Sequence, residues 1–231
     1  MIEIDGRQIL TELHEKVDPR HTAIVVIDMQ KDFTTEGCFW HSLGQDVSAA
    51  GALADRLGGF LATARDYGVR IVHVMANYDP EFMNEPMHER LHRHGQDRYC
   101  QTGTRGIEFH EGLEPRPGES IVVKHRFDAF FDTDLHIILQ AAGVRSLIMT
   151  GLAVQGCVDS STRHAYFLGY YTVFGEDLTG GANPDVHRMT LDSMRLMFGV
   201  TATADEIVAG WARLERDGTI ARRQGVANHA C

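Results

Sequence analysis

The sequence predicts an α/β domain of three layers, in which helices cover both faces of a mainly parallel, six-stranded sheet. Two observations predict this class. Short runs of β-branched residues alternate with longer amphipathic stretches, and the runs are continuously apolar. Continuous apolar runs are typical of strands that are buried on both faces. Strands that alternate with helices join through right-handed crossovers, which gives the layer order α/β/α.

Six runs are predicted to form the strands. They occupy residues 22–28, 70–75, 120–124, 145–150, 171–174 and, as a shorter run, 200–203. Between them, Leu53, Leu57 and Leu61 follow the spacing of one helix face, which predicts a helix over residues 50–67 that ends before Gly68. Further helices are predicted over residues 134–142, 157–168, 185–197 and 204–215.

Capping residues support two of these helices. Thr133 can cap the helix over residues 134–142. The last helix is predicted to begin at Thr203 or Ala204, where Asp205 and Glu206 stand in the first turn and interact favourably with the helix dipole.

The chain contains no internal repeat and no Pro/Gly-rich linker that would divide it. Residues 21–216 are therefore interpreted as one domain, with an N-terminal arm over residues 1–20 and a polar C-terminal tail over residues 217–231. A formal net charge of -10 argues against nucleic acid as a partner. No segment reaches the roughly 20 apolar residues of a membrane span, and the N-terminus does not resemble a secretory signal. We therefore expect a cytoplasmic protein with no membrane partner.

The four cysteines, at positions 38, 100, 157 and 231, show no Cys-x-x-Cys spacing. In a reducing compartment they are expected to be free thiols. Cys38 and Cys100 do not follow a strand end, so a structural or incidental role is expected for them. Cys231 is expected to be exposed at the chain end.

Three reactive side chains stand at one edge of the predicted sheet. Asp28 ends the first strand, Lys124 ends the third, and a short loop after the fourth strand leads to Cys157 at the start of a helix. Ligands of open parallel sheets bind beyond the carboxyl ends of the strands. The sequence therefore predicts that a carboxylate, an ammonium and a thiol meet at a binding site.

These residue types suit nucleophilic catalysis. A helix N-terminus and the Lys124 ammonium are expected to lower the pKa of the Cys157 thiol, and Asp28 can accept its proton. Backbone N–H groups at the start of the helix can hold an oxyanion. The combination predicts acyl transfer through a thioester, followed by the attack of water. Taken singly, each residue has a structural alternative: a carboxylate in a turn, a solvated lysine or an inert buried cysteine.

Three segments resemble the isochorismatase-like cysteine hydrolases. They are residues 24–33 (Ile-Val-Val-Ile-Asp-Met-Gln-Lys-Asp-Phe), 124–135 (Lys-His-Arg-Phe-Asp-Ala-Phe-Phe-Asp-Thr-Asp-Leu) and 150–158 (Thr-Gly-Leu-Ala-Val-Gln-Gly-Cys-Val), and the likeness extends from about residue 20 to residue 213. The family includes nicotinamidases, N-carbamoylsarcosine amidohydrolases, biuret hydrolases and ureidoacrylate amidohydrolases.

The resemblance implies a Rossmann-like α/β/α fold and a catalytic triad formed by Asp28, Lys124 and Cys157. It also implies a cis peptide bond between Leu152 and Ala153, and an oxyanion hole formed by the backbone N–H groups of Ala153 and Cys157. No cofactor and no metal are implied. Family members are usually dimers or tetramers, so we expect a homo-oligomer.

Two departures from the family pattern narrow the expected substrate. Many relatives carry Asp or Asn two residues before the nucleophile, where this chain has Gln155. Nicotinamidases bind a metal through an Asp-x-His motif after the second strand, and no histidine stands two residues after Asp79. Members that act on isochorismate lack the cysteine, so Cys157 favours amide over vinyl-ether hydrolysis.

Residues that follow the strand ends are candidates to line a substrate pocket. Those predicted to bind substrate are Phe33, Trp40, Asn77, Arg126, Phe131 and Gln155. An Asn or Arg would suit a substrate with carbonyl or carboxylate oxygens, whereas plain packing is the alternative interpretation of the aromatic residues. Gln30 is expected to bind only backbone.

A histidine-rich stretch offers a further possibility. His88, His92 and His94 lie close together in the chain, and an i, i+4 pair on a helix can bind zinc. The surrounding residues are polar, so a solvated segment or a pocket lid is the alternative interpretation.

The sequence as a whole predicts an amidohydrolase that cleaves a C–N bond of a small ureide or amide and releases ammonia. Ureidoacrylate, biuret and carbamoyl-amino acids represent the expected substrate class. Two alternatives stay open: a non-catalytic binding or scaffold protein on the same fold, and a nicotinamidase-like, metal-assisted amidase.

Overall fold

The computed structural model of the protein describes residues 1–181 and 183–223. It begins with an antiparallel hairpin of β1 (Ile2–Ile4) and β2 (Arg7–Ile9), followed by the one-turn helix α1 (Leu13–Lys16). Asp5 and Gly6 join the two strands, both with positive φ, as a two-residue hairpin turn requires. This Asp-Gly signal was present in the sequence, but the hairpin was not among the predicted elements.

The next part of the chain supplies three strands of the main sheet and four helices. They are β3 (Thr22–Ile27), α2 (Lys31–Thr34), α3 (Phe39–Ser42), α4 (Ser48–Asp66), β4 (Arg70–Ala76), α5 (Glu85–Arg93) and β5 (Ser120–Lys124). The short helices α2, α3 and α5 were not predicted.

The remaining part supplies the other three strands. Its elements are α6 (Leu135–Ala141), β6 (Ser146–Gly151), a π-helical turn (Val154–Val158), α7 (Asp159–Phe167), β7 (Tyr171–Thr179), α8 (Pro184–Met197), β8 (Val200–Ala202) and α9 (Ala204–Arg216). Thr203 caps α9 together with Glu206 in a capping box, as its sequence position suggested. In α6 the N-cap is Asp134, whereas Thr133 accepts a hydrogen bond from the Leu135 N–H at 3.3 Å.

The main sheet has the order β5-β4-β3-β6-β7-β8, and every adjacent pair of its strands is parallel. One apolar cluster lies on each face of the sheet, around Leu57 and Trp211 on one side and around Leu139 and Phe174 on the other. The predicted three-layer α/β/α fold is confirmed. The strand order reverses beside β3, which places Asp28 next to the switch point where ligands of such sheets bind.

Most elements differ from their predicted bounds by one or two residues, and two of the differences are informative. The strand β7 continues five residues beyond the predicted end at Phe174, because Gly175 allows the close approach of Leu178 beside a register shift of β6 against β7. The predicted helix over residues 157–168 is preceded by the π-helical turn, so Cys157 lies inside that turn and not at a helix start.

The N-terminal arm packs against the domain. Val17 is fully buried, and its carbonyl oxygen accepts a hydrogen bond from Trp211 Nε1 at 2.7 Å. The Leu10 N–H donates to the Tyr171 hydroxyl at 3.2 Å. Of the predicted tail, residues 217–223 are described and Arg222 bonds the Tyr67 hydroxyl, whereas residues 224–231, with Cys231, lie outside the described residues. Within the described part of the chain, every helix is too short or too polar to span a bilayer.

Candidate active site

The side chains of Asp28, Lys124 and Cys157 meet at the carboxyl-end edge of the sheet. Lys124 Nζ lies 2.8 Å from Asp28 Oδ2 and 3.4 Å from Cys157 Sγ. Asp28 and Lys124 are at most 1% exposed, and Cys157 is also buried. The structure thus brings together the carboxylate, the ammonium and the thiol that the sequence placed at the ends of separate strands.

Asp28 is held in place by the backbone around it. Its φ of 52° lies in the left-handed region, which Asp adopts more readily than most residues. Gln30 fixes this bend, because its side chain donates to the Ala76 carbonyl oxygen at 3.0 Å and accepts from the Ala76 N–H at 2.8 Å. It also donates to the Ile107 carbonyl oxygen at 2.8 Å. Gln30 binds backbone, as the sequence analysis expected.

The segment that carries Cys157 approaches β3 very closely. Gly151 has a φ of 102°, and a Cβ atom there would overlap the backbone of Ile27. Only glycine therefore allows β6 to end against β3. The Leu152–Ala153 peptide bond is cis. The Cys157 carbonyl oxygen accepts a hydrogen bond from Ser161 Oγ at 2.6 Å, which joins the π-helical turn to α7.

Lys124 makes further contacts that keep its ammonium inside the site. Nζ donates to the Arg126 carbonyl oxygen at 3.1 Å and lies 3.5 Å from the Tyr78 hydroxyl. Burial alone would lower the pKa of Lys124, but the negative charge of Asp28 raises it well above its usual value. The lysine is consequently a permanent cation that pairs with the buried carboxylate.

Burial dominates the pKa of the thiol. It raises the pKa of Cys157 to about 12, with a further contribution from the charge of Asp28, although Lys124 acts in the opposite direction. The expectation of a lowered thiol pKa was therefore wrong. Burial also raises the pKa of Asp28, against the lowering effect of Lys124. A protonated thiol beside a carboxylate of raised basicity suits transfer of the proton in the same step as nucleophilic attack.

A cavity of about 290 Å³ opens onto this trio. Its reactive floor is formed by Asp28, Ala153, Gly156 and Cys157. Its aromatic lining residues are Phe33, Phe39, Trp40, Tyr78, Tyr99 and Phe127, and its other lining residues are Leu43, Gln45, Arg90, Gln96 and Gln155. Within the described residues, the Ala153 N–H donates no hydrogen bond, and the side-chain oxygens of Gln45 and Gln96 are buried without a partner. The cavity thus offers both a free backbone donor and free side-chain acceptors.

Of the predicted pocket residues, Phe33, Trp40 and Gln155 line the cavity, whereas Asn77, Arg126 and Phe131 do not. The Asn77 side chain donates to Thr102 Oγ1 at 3.0 Å. The Arg126 guanidinium donates to the carbonyl oxygen of Phe82 at 2.7 Å. Phe131 is 48% exposed. After both strands the next residue, Tyr78 or Phe127, lines the cavity in place of the predicted one.

Sequence reasoning missed the lining residues that lie away from strand ends. Phe39, Leu43 and Gln45 follow α2, and Arg90, Gln96 and Tyr99 belong to the segment that contains α5. One signal for α5 was available in the sequence. Asn84 accepts a hydrogen bond from the Met87 N–H as N-cap, and Pro86 stands in the first turn, which is a common helix start.

A single carboxylate joins both missed segments to the sheet. Asp32 Oδ1 accepts a hydrogen bond from the Phe39 N–H at 3.2 Å, and Asp32 Oδ2 accepts one from the Cys100 N–H at 2.6 Å. The Asp32 carboxylate lies directly over Gly106, where a Cβ atom would overlap it. The positions of these two segments therefore depend on Asp32.

The histidine-rich stretch lies on α5 and just after it. His88, His92 and His94 are all exposed. In the ranges 1–181 and 183–223, no three His, Cys, Asp or Glu side chains are grouped so that they could hold a metal ion.

Comparison with known proteins gives a consistent result. The family model of the isochorismatase domain matches residues 22–206. The chain is 31% identical over 204 residues to the ureidoacrylate amidohydrolase RutB of Agrobacterium fabrum, which covers 81% of this chain and 89% of that protein. A solved isochorismatase family protein from Desulfovibrio vulgaris has a TM-score of 0.70 and 28% identity, covering 82% of this chain and 99% of the other.

The fold is also that of a solved cysteine hydrolase from Pseudomonas syringae. That structure has a TM-score of 0.75 and covers 86% of this chain and 95% of its own. At 21% identity, this likeness concerns the fold alone.

Proposed function

The chain belongs to the isochorismatase family, and from this premise we propose that it is a cysteine-dependent amidohydrolase that cleaves a C–N bond of a small amide or ureide. The relative named ureidoacrylate amidohydrolase supports hydrolysis of a C–N bond, and it supports a ureide as the substrate class. Biuret and carbamoyl-amino acids are chemically close members of the same class. The observation that carries the proposal is the contact of Lys124 with both Asp28 and Cys157 beside the 290 Å³ cavity.

In the first step, Cys157 Sγ attacks the carbonyl carbon while its proton passes to the Asp28 carboxylate. The backbone N–H groups of Ala153 and Cys157 donate to the oxyanion of the tetrahedral intermediate. The protonated Asp28 then donates its proton to the leaving nitrogen, the C–N bond breaks, and ammonia leaves. The product of this step is a thioester or, from a ureide, a thiocarbamate on Cys157.

In the second step, Asp28 takes a proton from water as the water oxygen attacks the acylated carbon. The C–S bond breaks, Asp28 passes this proton to the Cys157 sulfur, and an acid or a carbamate leaves. Lys124 keeps its proton throughout, since its pKa is raised by Asp28. Its role is to hold the carboxylate and to stabilise negative charge as it develops on sulfur.

The first prediction concerns the nucleophile. Cys157→Ala and Cys157→Ser should each reduce the rate of ammonia release by at least about 1,000-fold, because neither residue supplies a thiol nucleophile. The measurement is a screen of ammonia release over ureides and primary amides. Cys38→Ala is the matched control, since Cys38 does not line the cavity, and circular dichroism checks the fold of each variant.

Ammonia release by Cys157→Ala at the wild-type rate would refute the proposed mechanism. If the wild-type protein released no ammonia from any compound of the screen, a non-catalytic binding function would replace the proposal. Detection by mass spectrometry of an acyl or carbamoyl group on Cys157 during turnover would support it directly.

A further inference from the structure

The guanidinium of Arg90 is an unpaired cation in the wall of the cavity. Arg90 is half-buried on α5 and lines the same space as Cys157. Within the described residues, its guanidinium takes part in no ion pair and no hydrogen bond. The guanidinium lies over the Phe127 ring, whose centroid is 5.3 Å from Arg90 Cζ. The ring holds the guanidinium in place by a cation–π contact but does not compensate its charge.

Among the described residues Arg90 has no carboxylate partner, although the chain is acidic. The sequence has 32 Asp and Glu residues against 22 Lys and Arg, so carboxylates are abundant. On the same helix, Arg93 pairs with Glu89 at 2.9 Å. The other charged side chain that lines the cavity, Asp28, is already paired with Lys124. A partly desolvated guanidinium at this place is free to bind an anion from outside the protein, and its planar fork fits a carboxylate in particular.

Two acceptors in the same cavity also lack partners. The side-chain oxygens of Gln45 and Gln96 are buried and receive no hydrogen bond within the described residues. A buried acceptor without a donor is unfavourable, and a ligand with N–H groups would satisfy it. Both the amide and the urea group provide such donors.

We propose that Arg90 forms a carboxylate-binding subsite and that Gln45 and Gln96 accept hydrogen bonds from substrate nitrogen. The preferred substrate is accordingly a ureide or amide that also carries a carboxylate, and not a neutral amide. This inference rests on the proposed function, because the subsite belongs to the cavity that contains Cys157. Arg126, which the sequence suggested for this role, is bonded to the Phe82 carbonyl oxygen and lies outside the cavity.

The test uses two matched probes, 3-ureidopropionate and its neutral methyl ester. Binding is measured by calorimetry in the Cys157→Ala protein, so that turnover is not required. Arg90→Met should weaken binding of the acid at least tenfold and change binding of the ester less than twofold. Arg90→Lys, which keeps the charge without the planar fork, should restore part of the affinity for the acid. Arg93→Met is the matched control and should change neither probe.

The glutamines give a second contrast. Gln96→Met should weaken binding of acid and ester alike, because the two probes share their N–H groups. In the protein with an intact Cys157, Arg90→Met should raise KM for the acid while kcat changes less than threefold.

Equal weakening of acid and ester by Arg90→Met, or no weakening of the acid, would overturn the inference. So would a failure of 3-ureidopropionate to bind at millimolar concentration. Failure of the proposed function looks different, since carboxylate binding that depends on Arg90 would persist in a protein that releases no ammonia.

Discussion

One side of the cavity is built from strand ends, whereas the opposite side, which we call the wall, is built from inserted segments. The strand side carries Asp28, Lys124 and Cys157, each fixed by a strand of the sheet or by the turn that follows it. The wall consists of residues 39–45 and 90–99, which lie in the connections after β3 and β4. The strand side is buried, and much of the wall is exposed.

The two sides are also supported differently. Parallel ladders on both flanks of β3 hold the strand side. The wall depends on the two hydrogen bonds of Asp32 to the N–H groups of Phe39 and Cys100. From this difference we expect the proposed reactive groups and the proposed substrate-selecting groups to be separable. Changes on the strand side should alter kcat, and changes in the cavity-lining residues of the wall or in their support should alter KM.

The largest effect is expected on the strand side, from Asp28→Asn. The variant removes the proposed base, so kcat should fall at least about 100-fold. It also leaves the Lys124 ammonium buried without its counter-charge, so the free energy of unfolding should fall by about 3–5 kcal/mol. Asn tolerates the positive φ of this position, so the backbone is retained. Urea unfolding measures the loss of stability, and ammonia release measures the loss of kcat. A fully active variant would contradict the proposed role of Asp28 as the base.

A smaller effect is expected from Asp32→Asn in the support of the wall. The change weakens two hydrogen bonds to backbone N–H groups, so the free energy of unfolding should fall by about 1–3 kcal/mol. KM should rise about tenfold, a change of about 1.4 kcal/mol in binding, while kcat stays within about threefold of wild type. The exposed Asp97→Asn serves as the control in steady-state assays. A large fall in kcat with unchanged KM would show that the two sides are not separable.

The smallest effect is expected from Glu119, a carboxylate that does not line the cavity. Burial would raise the pKa of Glu119, but hydrogen bonds from Arg65, the Arg116 N–H and His73 hold it at about 2. Because the folded-state pKa is lowered, this carboxylate stabilises the protein above its unfolded pKa of about 4.5, and the stabilisation is lost as pH falls towards 2.

This prediction is checked by urea midpoints between pH 7 and the acid limit of folding. The stability difference between wild type and Glu119→Gln should shrink as the pH falls below about 5. At pH 7 the two proteins should have similar kcat, since Glu119 does not line the cavity. A constant stability difference across this pH range would contradict the assigned cause.

The sequence was informative where periodicity and burial coincide. The runs that end at Asp28 and Lys124 are continuously apolar, so the strands and the edge at which their ends meet followed from general rules of parallel sheets. The convergence of Asp28, Lys124 and Cys157 was predicted in this way. The direction in which the pKa of the Cys157 thiol shifts was not predicted, because it depends on how completely the site is closed off from water.

Apart from Trp40, the lining residues of the wall could not be predicted in the same way. Arg90 stands in a polar stretch whose helix has only Leu91 as a buried residue, so no apolar pattern indicated which face turns inward. Its contact with the Phe127 ring joins residues that are 37 positions apart, which no local pattern in the sequence indicates. Likewise, a strand-end position alone did not distinguish Asn77 from Tyr78, since consecutive residues of an extended chain point to opposite sides.

The hydrogen bond from Trp211 to Val17 joins residues that are 194 positions apart in the chain. Both side chains belong to the same apolar cluster, so this part of the interior has a high contact order. During synthesis on the ribosome, the cluster cannot close until α9, which carries Trp211, has emerged. The apolar surface around Val17 consequently stays uncovered in the nascent chain until α9 has been made.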